Sequence, residues 1–285
     1  MYVLAQDISR DRLTITLRND LLSELDSIVD GINVRNRSHA IEILLSRVLE
    51  SRRVRKALIL AGGKGTRMRP LTYEMPKPMI PLKGKPLIQH IIELCRKYEI
   101  REIIMSVGYL GDKIKDHFGD GSHLGVDIKY VEEKQELGTA GPLRLARKYI
   151  NGPFLMFNGD VLSNIDLSDL IRFHTEQKAT ATIALTQVED TSSFGVARLK
   201  GHSIVGFVEK PKNGLESRLI NAGVYVLEQE VIDYVPKGKA MMETDVFPKL
   251  TNEGKLFGYP FDGQWFDTGT PEAYERAIKN WKTIV

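Results

Sequence analysis

The chain has 285 residues, with 40 Lys+Arg against 37 Asp+Glu and a formal net charge of +3. At roughly 100–200 residues per domain that length sets about two domains, and 42% hydrophobic with 27% charged residues excludes a disordered chain. No apolar run approaches the ~20 residues of a membrane span, the N-terminus lacks the apolar core of a signal peptide, and the single Cys95 cannot form an internal disulfide, so a cytoplasmic protein with no membrane partner is expected.

In chain order, residues 12–17 (Arg-Leu-Thr-Ile-Thr-Leu) alternate polar and apolar β-formers and predict a half-buried strand. Asn19 or Asp20 can cap a helix with Leu22, Leu25, Ile28 and Val29 on one face, ended by Gly31. A second helix starts near 36–38 and carries Ile41, Leu44, Leu45, Val48 and Leu49 at helical spacing. One strand has no partner inside such a unit, and so small a core is marginal by itself. A second copy pairing across a two-fold axis is the simplest repair, so a homodimer or dimer-based oligomer is expected. The boundary is placed at 55/56, giving domains 1–55 and 56–285.

Beyond the boundary, strands are expected at 57–61, 102–107, 127–131 and 154–158, with helices near 87–98, 113–118 and 139–149. That alternation reads as a doubly wound α/β sheet with parallel strands. After Asp160 the pattern mixes, with strands near 180–188, 195–199, 204–208 and 223–227 and helices near 244–252 and 271–281. The fold class expected is therefore α/β, Rossmann-like, with a mixed but mainly parallel sheet.

Ala61-Gly-Gly-Lys-Gly-Thr-Arg-Met-Arg-Pro70 follows the first of these strands, where a nucleotide-binding sheet carries its phosphate loop. It matches neither G-x-G-x-x-G nor the P-loop pattern. Gly62, Gly63 and Gly65 let backbone N–H groups approach an anion, Thr66 adds a hydroxyl, and Lys64, Arg67 and Arg69 add cations. Pro76-Lys-Pro-Met-Ile-Pro81 then holds Lys77 between prolines. A tight turn with solvated charges is the bland alternative, but turns rarely combine three glycines with such cation density.

These residues resemble the signature of the sugar-phosphate nucleotidyltransferases, and further pieces recur in order: Leu137-Gly-Thr-Ala-Gly-Pro-Leu143, Asn158-Gly-Asp160, Glu209-Lys-Pro211, Asn221-Ala-Gly223 and Trp265-Phe-Asp-Thr-Gly-Thr-Pro271. The resemblance covers about 56–282, and Met68 stands where Leu is more common. It implies transfer of a nucleotidyl group from an NTP to a sugar 1-phosphate with release of pyrophosphate. It also implies one Mg²⁺ held by Asp160 and Asp267; spacing does not pair two carboxylates so far apart, and each taken singly is more readily a turn residue or helix cap. By resemblance Arg67 faces the leaving pyrophosphate and Lys77 the α-phosphate. Ala61, Gly62, Gly63, Gly65, Thr66, Glu133, Gly138 and Thr139 would take the nucleotide. Gly159, Glu209, Lys210 and Asn221 would take the sugar phosphate. Glu243-Thr-Asp245 is a further sugar-site candidate, equally compatible with a capped helix start.

Carboxylates in Val131-Glu-Glu-Lys-Gln-Glu136 suit the N1–H and amino donors of guanine, and the wording of 138–143 most resembles mannose-1-phosphate guanylyltransferases. A left-handed β-helix, which many relatives carry after this domain, is not expected before Val285.

The N-terminal pattern resembles the ribbon-helix-helix regulators, whose paired strands enter the major groove of double-stranded DNA. By position Arg12, Thr14 and Thr16 would face base edges, Leu13, Ile15 and Leu17 the core, and Asn36, Arg37 and Ser38 a phosphate at the second helix's N-terminus. Residues 1–56 hold ten cationic and eight acidic side chains, a modest excess for a DNA binder, so dimerisation without DNA stays open. A rival to the working enzyme is a regulator whose second domain only senses NDP-sugar ligands. Retention of Arg67, Lys77, Asp160, Lys210 and Asp267 favours the enzyme.

Overall fold

A computed structural model describes residues 13–51, 54–211 and 217–282, and for 46–51 the backbone alone. The chain divides into two compact units, Met1–Glu50 and Ser51–Val285.

The smaller unit is built on α1 (Asn19–Ile28) and α2 (Arg37–Ser51). Arg18, not Asn19 or Asp20, stands at the N-cap of α1 and contributes no side-chain bond there. Asp20 lies in the first turn, where a negative charge complements the helix dipole. Between the helices the Asp30 carboxylate accepts the N–H groups of Ile32, Asn33 and Val34 at 2.7–2.9 Å, which hold its pKa at about 2. Asn36 Oδ1 accepts the His39 N–H at 3.0 Å and caps α2. Leu25 and Ala40 are buried, but Ile28 lies 41% exposed.

The strand expected over 12–17 is not formed among the described residues. Arg12 lies outside them, and 13–18 run without ladder pairing. Leu13, Ile15 and Leu17 are 78%, 46% and 37% exposed rather than facing a core. A strand needs a neighbour to satisfy its N–H and C=O groups, and within one chain no described segment supplies it.

The larger unit runs β1 (Lys56–Ala61), β2 (Pro81–Leu82), β3 (Lys85–Pro86), α3 (Leu87–Lys97), β4 (Glu102–Val107), α4 (Gly111–Phe118), β5 (Asp127–Glu132), α5 (Gly141–Ala146), β6 (Phe154–Asn158) and β7 (Val161–Ser163). It continues with α6 (Leu167–Gln177), β8 (Ala181–Gln187), β9 (Gly195–Lys200), β10 (Ser203–Glu209), β11 (Leu219–Leu227), α7 (Phe247–Asn252), β12 (Leu256–Pro260), β13 (Trp265–Asp267) and α8 (Pro271–Asn280). The main sheet has the order β5-β4-β1-β6-β11-β8-β12-β10-β9. β5, β4, β1 and β6 are parallel neighbours, as expected for strands buried on both faces. Beyond β6 the sheet is truly mixed: β11 and β10 run against the rest, so parallel and antiparallel neighbours in the strand order are equal in number.

Successive residues divide between the two faces with the period of a strand. Ile59, Met105 and Phe157 pack with Ile88, Ile92 and Phe118, while Leu58, Ile104 and Met156 pack with Leu143, Tyr225 and Phe247. A third cluster of Met68, Ile80, Leu82, Leu87, Leu162, Ala277 and Trp281 seats α8 against the segment after the glycine loop. Helix α6 and strands β7, β12 and β13 lie outside the elements expected from sequence, and β11 begins at Leu219. The helix expected over 244–252 divides into one π turn, Met242–Val246, followed by α7. No helix among the described residues is long and apolar enough to cross a membrane.

Phe154 is fully buried between the layers. Phe154→Ala should destabilise this unit by about 3–5 kcal/mol. Tryptophan fluorescence during urea unfolding measures it, because Trp265 and Trp281 both lie in the larger unit.

Candidate active site

At the carboxyl edge of β1, β5 and β6 the connecting loops enclose a cleft of about 500 Å³, the place where open α/β sheets bind ligands. Its lining takes in Ala61, Gly62, Gly63, Lys64, Gly65, Thr66, Arg67 and Lys77 from the first loops, Glu133, Gly138 and Thr139 from the loop after β5, and Asn158, Gly159 and Asp160 after β6. Gly65 adopts φ +60°, and a Cβ there would stand 2.9 Å from Cβ of Lys77; its carbonyl accepts the Thr72 hydroxyl at 2.8 Å. This fold-back sets Lys77 beneath the loop. Gly159 passes so close to β1 that a Cβ would lie 2.3 Å from the Leu60 carbonyl oxygen.

Two carboxylates meet at the lip of the cleft. β13 pairs antiparallel with β7, with Asp267 opposite Val161, and Asp160 immediately precedes β7. Thr268 completes the link: its N–H and its hydroxyl both donate to the Asp160 carbonyl, at 3.0 and 2.7 Å. The Lys77 ammonium, 7% exposed, donates to the Asp160 carboxylate. Burial acts to raise the Asp160 carboxyl, but the Lys77 ammonium holds it below the usual carboxylate range. Asp267 is pushed up, first by burial and then by the Asp160 charge, while the Gly269 N–H donates to its Oδ1 at 2.7 Å. The Arg67 guanidinium reaches the same place, since a Cβ on Gly269 would stand 2.8 Å from both Arg67 Nη2 and Asp267 Oδ1.

Two converging hard oxygen donors, one of them raised by its neighbour's charge, fit a small divalent cation. No cluster of three or more His, Cys, Asp or Glu exists among the described residues. A cation here would therefore complete its shell with water and phosphate oxygens, which is the habit of Mg²⁺.

On the far side of the glycine loop, Glu133 accepts the Ser106 hydroxyl at 2.7 Å and the Leu137 N–H at 3.2 Å, so both its oxygens also brace the loop. Burial pushes its carboxyl up. Thr139 donates to Glu243 Oε2 at 2.6 Å and accepts the Met242 N–H at 2.8 Å. Glu209 ends β10 and Lys210 follows it, with Nζ of Lys210 3.4 Å from Glu209 Oε1. Asn221 spans a bulge in β11: its Oδ1 accepts the Gly223 N–H at 2.9 Å, and its Nδ2 donates to the Tyr225 hydroxyl at 2.8 Å. The Asn158 side chain, which lines the cleft, also acts on that hydroxyl. Glu136 and Gly269, from the 131–136 and 265–271 segments, line the cleft too, as does Lys239, which carries no motif by which sequence singles it out. Lys239 sits in a Lys-Gly-Lys turn and pairs with Glu136 at 3.4 Å.

In the smaller unit, Thr14, Thr16 and Ser38 are exposed. Arg37 is engaged within the unit. Its guanidinium makes a bidentate pair with Asp26, at 2.6 and 2.7 Å, which also holds the Asp26 carboxyl below its usual range.

Residues 56–283 match the nucleotidyl transferase family. Mannose-1-phosphate guanylyltransferase of Mycobacterium tuberculosis is 41% identical over 225 residues, which is 77% of this chain and 62% of the relative. Mannose-1-phosphate guanyltransferase beta-B of Xenopus laevis is 37% identical over the same coverage. The chain thus spans less than two thirds of the length of these relatives. The crystal structure of HddC from Yersinia pseudotuberculosis complexed with GMP-PN superposes with a TM-score of 0.69 at 29% identity, covering 79% of this chain and 99% of that one.

The tight approach at Gly159 makes a local prediction. Gly159→Ala should cost about 1–3 kcal/mol, because the obstruction is backbone. Gly63→Ala, with nothing within 4 Å of its Cβ, should stay within about 0.5 kcal/mol. Paired thermal melts compare them.

Proposed function

This chain belongs to the nucleotidyl transferase family, and from that premise we propose that it joins an NTP to a sugar 1-phosphate, giving NDP-sugar and pyrophosphate, with GTP and mannose 1-phosphate the favoured pair. The observation that carries the reading is the convergence of Lys77, Arg67, Asp160 and Asp267 at the lip of a glycine-lined cleft. A retired, ligand-sensing site has no need of paired carboxylates with a buried lysine between cleft and strand. The name of the M. tuberculosis relative and the guanine nucleotide analogue in the HddC structure support the choice of base.

In this mechanism the sugar phosphate is already ionised and attacks the α-phosphorus in line, so no protein nucleophile takes part. Ala61, Gly62, Gly63, Gly65 and Thr66 offer backbone N–H groups to the nucleotide phosphates. Lys77 stabilises charge developing at the α-phosphate, and Arg67 stabilises the departing pyrophosphate. Asp160 and Asp267 would hold one Mg²⁺, which when bound neutralises and orients the reacting phosphates. Glu133, Gly138 and Thr139 flank the base and ribose. Gly159, Glu209, Lys210 and Asn221 receive the sugar phosphate.

The smaller unit is read as a ribbon-helix-helix dimerisation module. The exposed alternating Leu13, Ile15 and Leu17, with Leu25 and Ala40 alone buried among the described residues of this unit, call for a second copy whose strand pairs with this one. Arg12, Thr14, Thr16 and Ser38 would then face double-stranded DNA, with Arg37 released from Asp26 or holding the helices together. The buried single thiol, Cys95, suits a cytoplasmic setting.

Lys77→Ala and Asp160→Asn should each lower pyrophosphate release by roughly 100-fold or more, with the folded state retained in circular dichroism; near-normal turnover in both removes the assignment. Turnover with each NTP against several sugar 1-phosphates should be fastest with GTP and mannose 1-phosphate. Leu17→Asp should convert dimer to monomer in sedimentation. At about 50 mM salt the full chain should bind duplex DNA, and Arg12→Ala should weaken it.

A further inference from the structure

The nucleotide loop and the sugar side of the cleft are joined by one buried carboxyl. Glu243 is 9% exposed and stands on the π turn Met242–Val246; such turns are rare and frequent at functional positions. Its Oε2 takes the Thr139 hydroxyl at 2.6 Å, while Thr139 Oγ1 takes the Met242 N–H at 2.8 Å. The backbone is tied at the same place. Ala240 N–H donates to the Leu137 carbonyl at 3.0 Å, and Ala140 N–H to the Ala240 carbonyl at 2.9 Å.

On its other side the π turn packs against β10, which ends at Glu209 next to Lys210. Phe247, directly after the turn, meets Phe207 of that strand edge-on at 5.3 Å between ring centres, and the charges of Glu209 and Lys210 act on Glu243. Its own charge acts on the buried Tyr225, whose hydroxyl receives the Asn221 amide. A simple brace has no use for this carboxyl. The Thr139–Met242 bond and the two backbone bonds already close the loop, and the neighbouring Asp245 caps the turn by accepting the Met241 N–H at 2.7 Å. Burial pushes the Glu243 carboxyl up, a cost that an apolar side chain would avoid.

We infer that Glu243 is a positioning residue that couples the two substrate subsites. Nucleotide against the Gly138–Thr139 turn fixes the carboxylate through the Thr139 hydroxyl, and the fixed carboxylate acts through its charge and the packing of its turn on the Glu209–Lys210 pair, where the sugar phosphate docks. Each substrate then raises the affinity for the other by the same factor, as linkage requires. The inference rests on the reading of this cleft as an NTP and sugar 1-phosphate site.

The test is calorimetry on the full chain with Mg²⁺, titrating mannose 1-phosphate with and without a non-hydrolysable GTP analogue. The wild type should bind the sugar phosphate at least about fivefold more tightly when the analogue is present. Glu243→Gln, which preserves volume and an acceptor for Thr139, should bring that factor close to one while leaving analogue affinity within about twofold. Glu243→Asp should restore part of it. A wild-type factor of one, or a Glu243→Gln factor equal to the wild type's, overturns the inference. So does an equal loss of both affinities alongside a lowered melting temperature, which marks a brace. Failure of the transferase reading is separate: the wild type then releases no pyrophosphate from any NTP and sugar 1-phosphate pair, whatever the coupling factor.

Discussion

Two like charges held side by side must be compensated, and the architecture around Asp160 and Asp267 is organised to hold them there. Thr268 and Asp160 are 108 residues apart, yet two bonds from Thr268 to one carbonyl hold the two strand ends in contact. The short β7–β13 ladder sets the register, and the third core cluster, with α8 and Trp281, presses that corner against the glycine-loop segment. Lys77 compensates Asp160 from beneath, and Arg67 approaches over Gly269. The site is arranged for charge before any ligand enters, so the reaction proposed above would need little reorganisation.

The same logic explains why the glycines sit where they do. Gly65 turns the chain with positive φ so that Lys77 lies against it, and Gly159 lets the β6 turn press on β1. Both are positions where a side chain would push apart two segments that carry charged groups. Packing behind them is dense and divided by strand period into two faces, which makes the carboxyl edge a rigid platform.

The smaller unit obeys the opposite condition. Leu25 and Ala40, the buried residues among those described there, cannot offset the ordering of its backbone, and Leu13, Ile15, Leu17 and Ile28 lie outward. Its polar groups are satisfied locally, Asp30 by three backbone N–H groups and Asp26 by Arg37. Local bonding shapes the helices and their turn, but it supplies no partner for residues 13–18.

Sequence by itself determined what short-range physics determines. Apolar runs such as 102–107 and 154–158 are strands with those same bounds, the glycine-cation loop lies at a strand end, and the helix beginning near Asn36 has its cap. Strand β12 stayed hidden because Leu256-Phe-Gly-Tyr-Pro260 carries Gly and Pro, residues that argue against a strand inside a sheet. Helix α6 stayed hidden because its buried positions, Leu167, Leu170 and His174, form a thin stripe. Which distant groups meet was decided only by tertiary structure. Asp267 against Asp160, Arg37 on Asp26 and Glu243 on Thr139 depend on strand register and packing. In the segment 243–245, where sequence left a cap and a site equally open, the fold divides the roles: Asp245 caps, and Glu243 turns inward. Spacing along the chain carries no information about such meetings, because they are set by the sum of many weak contacts elsewhere.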